Sequence, residues 1–74
     1  MPYINVRLTD DGLSADTKAE IIRRITAVMV DVLDKDPNTT FVVIDEVNPD
    51  SWGVAGETVT ARRKKRREAG HAKS

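Results

Sequence analysis

The 74-residue chain has no cysteine, a single histidine, three aromatic residues and no uninterrupted apolar run longer than four residues, Phe41-Val42-Val43-Ile44 among them. Without cysteine there are no disulfides and no thiolate metal sites, and the lone His71 has no partner at ligand spacing, so no metal or other cofactor is expected. A four-residue apolar run is far too short to span a bilayer, and no charged-then-apolar leader is legible. The expectation is a cytoplasmic protein with no membrane partner. Some sixty residues are able to join a core, and chains of that size bury only about 60% of the surface their unfolded state exposes. With disulfides and metals excluded, oligomerisation is the remaining source of stability.

The formal net charge of zero conceals an asymmetry. Residues 1–56 hold five bases against ten acids, and residues 57–74 hold seven bases against Glu57 and Glu68. The sequence therefore divides into a folded domain over 1–60 and a basic, flexible C-terminal tail over 61–74, with six consecutive bases from Arg62 to Arg67. Such blocks are interactive. No aromatic residue interleaves this one, so stacking on nucleic-acid bases is unsupported. A neutral protein also exerts little long-range attraction on phosphate, so the acidic body of another subunit is the expected partner of the tail, and nucleic acid is not.

Residues Tyr3 to Leu8 alternate, with Ile4, Val6 and Leu8 on one side and Tyr3, Asn5 and Arg7 on the other, which predicts a half-buried strand. Thr9-Asp10-Asp11-Gly12 is rich in turn formers and breaks it. Ser14 is placed to cap a helix that begins near Ala15, with Ile22, Ile25, Met29, Val32 and Leu33 as its apolar stripe, and Asp34-Lys35-Asp36-Pro37-Asn38 ends it. Thr39 to Val47 is β-branched and nearly continuously apolar, the composition of a parallel strand covered on both faces. Asn48-Pro49-Asp50-Ser51 reads as a turn, Trp52-Gly53-Val54-Ala55-Gly56 as a short hairpin or loop, and Thr58-Val59-Thr60 as one more short strand. The fold class is α/β (α+β): a right-handed βαβ unit with two parallel strands, one long helix and a short C-terminal hairpin. One helix covers one face of that sheet, so another subunit is the simplest cover for the second.

Pro2 leads the first strand directly behind Met1. Its placement also fits ordinary N-terminal processing. If Met1 is removed, the exposed secondary amine is held by the strand behind it. An α-amino group titrates near roughly 7.7 to 8.0, and apolar burial lowers that value toward neutral pH, where a base works best.

Taken together, Pro2, the βαβ order, the Ser14-led helix, Val43-Ile44-Asp45-Glu46-Val47 and Trp52-Gly53-Val54-Ala55-Gly56 resemble the 4-oxalocrotonate tautomerase family over residues 2–60. The resemblance implies short subunits assembled as a homo-oligomer, a hexamer built as a trimer of dimers, with each pocket walled in part by a neighbouring chain. It implies a cofactor-independent isomerase that moves a proton between the oxygen and carbon of a small enol or 2-oxo acid. Pro2 maps onto the family's catalytic general base and Trp52 onto the aromatic wall of the pocket. The family's best-known members bind two carboxylates with an arginine before the helix and another early in the second strand. Here those neighbourhoods read Gly12-Leu13-Ser14 and Thr40-Phe41-Val42, with no arginine. Bidentate recognition by guanidinium is not replaced by a hydroxyl or an apolar side chain. A monocarboxylate enol such as an arylpyruvate is therefore the expected substrate class, with Arg7 or Arg62 as candidate carboxylate ligands across an interface, although an interface ion pair or a solvated position is the readier role for Arg7. Asp45 and Glu46 are candidates to orient water or to pair at a strand end. The alternative is a catalytically silent assembly that binds through its basic tail.

Overall fold

A computed structural model describes residues 1–69. Strand β1 (Tyr3–Thr9) is followed by helix α1 (Ala15–Leu33) and strand β2 (Phe41–Val47), and β1 and β2 pair in parallel with Tyr3 opposite Phe41 and Thr9 opposite Val47. The ladder is extended at both ends by Phe41 N–H donating to the Pro2 carbonyl at 2.9 Å and Asp10 N–H donating to the Val47 carbonyl at 2.7 Å.

Local chemistry sets the element ends. The Ser14 hydroxyl accepts from Thr17 N–H at 3.1 Å and caps α1. At the other end Asp34 adopts a left-handed φ of 56° and its N–H reaches the Val30 carbonyl. Asp36 then caps a 3₁₀ turn over Pro37–Thr39, whose Thr39 and Thr40 hydroxyls both donate to the Asp36 carbonyl. That turn takes Thr39 and Thr40 out of the second strand, which starts at Phe41 rather than Thr39.

The apolar layer lies between α1 and one side of the sheet. Ile4, Val6, Leu8, Val42 and Ile44 are half-buried there, with Ile21, Ile25 and Met29 of α1 half-buried as well. Lys18 of α1 pairs with Glu46 of β2, which fixes this as the helix side. Among the described residues none is fully buried. Ile22, Val32 and Leu33, expected in the buried stripe, are exposed, because one two-stranded sheet covers only part of the helix's wide apolar surface. In the single chain Phe41 and Val43 are exposed on the side away from α1, the face that one helix leaves open.

A second 3₁₀ turn (Pro49–Ser51), capped by Asn48, leads into a hairpin of β3 (Gly53–Val54) and β4 (Glu57–Thr58). Its two linking residues, Ala55 and Gly56, have φ of 53° and 83°, the left-handed pair a tight hairpin requires. The strand expected over Thr58-Val59-Thr60 stops at Thr58. Its hydroxyl accepts from Ala61 N–H at 3.0 Å, and helix α2 (Val59–Ala69) begins there. The part of the basic tail within the described residues is thus helical, whereas the expectation for His71 lies outside them. No helix among the described residues is long and apolar enough to cross a membrane.

Candidate functional site

The side of the sheet away from α1 carries polar chemistry at one end and apolar surface at the other. Alternation places Tyr3, Asn5 and Arg7 there, and the parallel register sets Arg7 opposite Asp45. Asn5 Nδ2 donates to Asp45 Oδ2 at 2.8 Å, and Arg7 Nη2 reaches the same oxygen at 3.4 Å. These contacts, Asn5 first and Arg7 second, hold the Asp45 carboxyl below its ordinary value of 3.8, so it is ionised at neutral pH.

Beside this pair the chain forms an open groove of about 480 Å³ lined by Arg7, Asp45, Val47, Ser51, Trp52 and Gly53. Trp52 is positioned by backbone. Its N–H donates to the Pro49 carbonyl at 3.4 Å, and its carbonyl accepts from Val59 N–H at 2.8 Å, so the 3₁₀ turn and the start of α2 clamp it between them. The indole is half-buried and forms the aromatic wall of the groove. A guanidinium, a carboxylate and an indole around one groove suit a small organic anion with a flat apolar portion.

Pro2 sits elsewhere. It is half-buried at the opposite end of β1, with its carbonyl fixed by Phe41. The five residue steps from Pro2 to Arg7 span about 16 Å of strand. One chain therefore brings Arg7 and Trp52 together but leaves Pro2 at the far end of the sheet. Arg62 is separate as well. It reaches Glu57 Oε1 at 3.5 Å, and with Glu57, Lys65 and Arg66 it lines a recess of about 270 Å³ on α2.

Two features escaped sequence reasoning. Asp45 pairs at the strand end, as one of its readings had it, but its partners are Asn5 and Arg7 and the pair lines the groove, which only the β1–β2 register reveals. Arg63 ties α2 to the β1–α1 turn, donating to Asp11 Oδ1 at 2.8 Å and to Thr9 Oγ1 at 3.2 Å, and it lowers the Asp11 pKa. Glu57 is lowered similarly, chiefly by Lys65 at 2.7 Å.

Comparison with known proteins bears on this arrangement. Residues 2–62 match the family described as Tautomerase enzyme. The chain is 51% identical over 63 residues to a protein named probable tautomerase from Dickeya dadantii (strain 3937), a match covering 85% of this chain and 94% of the relative. Among solved structures, a 4-oxalocrotonate tautomerase homologue of the tomaymycin biosynthetic pathway superposes with a TM-score of 0.80 at 30% identity, covering 85% of this chain and 95% of the other. A heterohexamer 4-oxalocrotonate tautomerase from Chloroflexus aurantiacus J-10-fl gives 0.73 at 27% identity, covering 81% and 95%.

Proposed function

Because the chain belongs to the tautomerase family, we propose that it is an isomerase that interconverts an enol and its 2-oxo acid, with Pro2, freed by removal of Met1, as the general base. The neutral secondary amine takes the enol O–H proton. The O–H pair forms the carbonyl, the C=C pair takes a proton at carbon from the prolinium, and the amine is regenerated. No redox partner or cofactor enters the balance. While Met1 is attached, the Pro2 nitrogen is a tertiary amide with no basic pair.

The observation that carries this reading is the setting of Pro2. It lies at the head of β1, half-buried, with its carbonyl fixed in the ladder by Phe41, and the family match begins at residue 2. A base held this way is pre-oriented, and partial burial favours its neutral form. Arg7 binds the substrate carboxylate and Trp52 excludes water from the reacting carbon. Since Pro2 and the Trp52 groove lie at opposite ends of one sheet, the working site forms where Pro2 of one copy meets the groove of another. A homo-oligomer with such shared sites is supported by the exposed Tyr3, Phe41 and Val43 of the open sheet side, and a hexamer by the hexameric relative.

The test is ultraviolet-monitored ketonisation of phenylenolpyruvate and 2-hydroxymuconate by Met1-free protein verified by intact mass. Pro2→Ala is expected to lower kcat/KM by about 10²- to 10⁴-fold, the scale of general acid–base catalysis. Equal turnover by wild type and variant would remove the catalytic reading and leave the assembly with its basic helix as a binding module.

A further inference from the structure

We infer that Asp45 is a specificity-determining residue: its carboxylate, beside the Arg7 guanidinium in the Trp52 groove, admits an anion with one carboxylate and excludes an anion with two. The inference rests on reading this groove as the substrate site, and it assigns the groove's charge selectivity to a residue distinct from the base.

The shared oxygen of Asp45 lies 2.8 Å from Asn5 and 3.4 Å from Arg7, so Asn5 is the closer anchor and Arg7 a looser neighbour. A guanidinium has five N–H donors in a planar fork. Among the described residues the Arg7 fork is engaged only by this one long contact, and its side chain is 63% exposed. The remaining donors can take a carboxylate in bidentate fashion without displacing Asp45 from Asn5.

Charge then sets the limit. Among the described residues that line the groove, Arg7 is the only cation and Asp45 the only anion. The empty groove is neutral, a monocarboxylate makes it singly negative, and a dicarboxylate makes it doubly negative. The second carboxylate has Val47, Ser51, Trp52 and Gly53 around it and Asp45 nearby. It gains a hydroxyl at most and meets a like charge, an arrangement that penalises the wrong ligand. Asp45 stays charged at neutral pH because Asn5 and Arg7 both stabilise its anionic form. The indole offers the flat apolar portion of a monoanion a stacking surface that a second charge would have to desolvate.

Trp52 is the chain's only tryptophan and lines the groove, so its fluorescence reports occupancy independently of turnover. The experiment titrates the full-length assembled protein with two unreactive probes, 3-phenylpropanoate and its para-carboxylated counterpart. Wild type is expected to bind the monoanion on the order of tenfold more tightly. Asp45→Asn should bring the two affinities within about threefold, mainly by gaining affinity for the dianion. Asp45→Glu should retain discrimination, and Arg7→Gln should weaken both probes. Should Asp45→Asn fail to fold, wild type alone suffices, because salt near 1 M shortens the screening length to about 3 Å and should shrink the discrimination. Equal affinities in wild type, or discrimination unchanged in Asp45→Asn, would overturn the inference, as would discrimination in wild type that high salt leaves untouched. Its fate is separable from that of the catalytic reading. Asp45-dependent discrimination without Pro2-dependent turnover leaves the inference standing and removes catalysis, and Pro2-dependent turnover without such discrimination does the reverse.

Discussion

The two sides of the β1–β2 sheet are built from the same alternating residues but have different fates. On the helix side Ile4, Val6, Val42 and Ile44 are half-buried against α1, and a charged pair, Lys18 with Glu46, links helix to strand. On the open side Tyr3, Phe41 and Val43 stay exposed, and the polar end holds Asn5, Arg7 and Asp45 next to Trp52. The helix side is half-covered within one chain. The open side is not, and the groove borders it. In so small a subunit, the surface that cannot be covered internally is also available to build a site from more than one copy.

If this division is correct, the same chemical insult has different consequences on the two sides. Ile44→Asp places a carboxylate in the apolar layer without a partner and should cost about 3 kcal/mol or more, abolishing the far-ultraviolet helix signal in dilute buffer. Val43→Asp, one residue away and facing the open side, should lower the sedimenting mass, with a helix signal that is recovered as protein concentration rises and the assembly re-forms. An assembly unchanged by Val43→Asp would break the comparison, since the open side would then need no cover.

A smaller effect concerns the clasps outside the sheet. Asp11 and Glu57, with ordinary values of 3.8 and 4.5, are both lowered by bases of α2. A lowered carboxylate contributes stability that is fully present above its ordinary value and is lost as pH falls through the lowered one. Acidification below pH 4.5 should therefore loosen α2 from the β1–α1 turn and from β4 while the apolar layer under α1 persists. Amide shifts of Val59–Ala69 moving before those of α1 would show it. Simultaneous loss of both helices would merge the two regions into one unit.

Local signals made much of this fold legible. Ser14 marked the helix start, Asp34 to Pro37 its end, and Asn48-Pro49 the second turn, because each depends on residues within a few positions. The strand boundary at Thr40 was harder, since β propensity in Thr39 and Thr40 competes with hydroxyl bonds to the Asp36 carbonyl. The helix in the basic segment was missed because like charges argue against it locally, while Glu57 and Asp11, which neutralise Lys65 and Arg63, lie outside the run. In the candidate site, Pro2 and Trp52 were readable from position and motif. Asp45 was readable only as a strand-end acid, because its partnership with Arg7 spans 38 residues and depends on register.

The most direct test of the central claim, that Pro2 of one copy works with the Trp52 groove of another, is subunit complementation. Pro2→Ala and Trp52→Ala assemblies, each deficient alone, are dissociated together, refolded and assayed for ketonisation. Random mixing of the two chains pairs an intact Pro2 with an intact Trp52 in about a quarter of shared sites. The account predicts recovery toward that fraction of wild-type activity. Activity no greater than the average of the two parents, in a mixture shown by mass to contain both chains in one assembly, would contradict it.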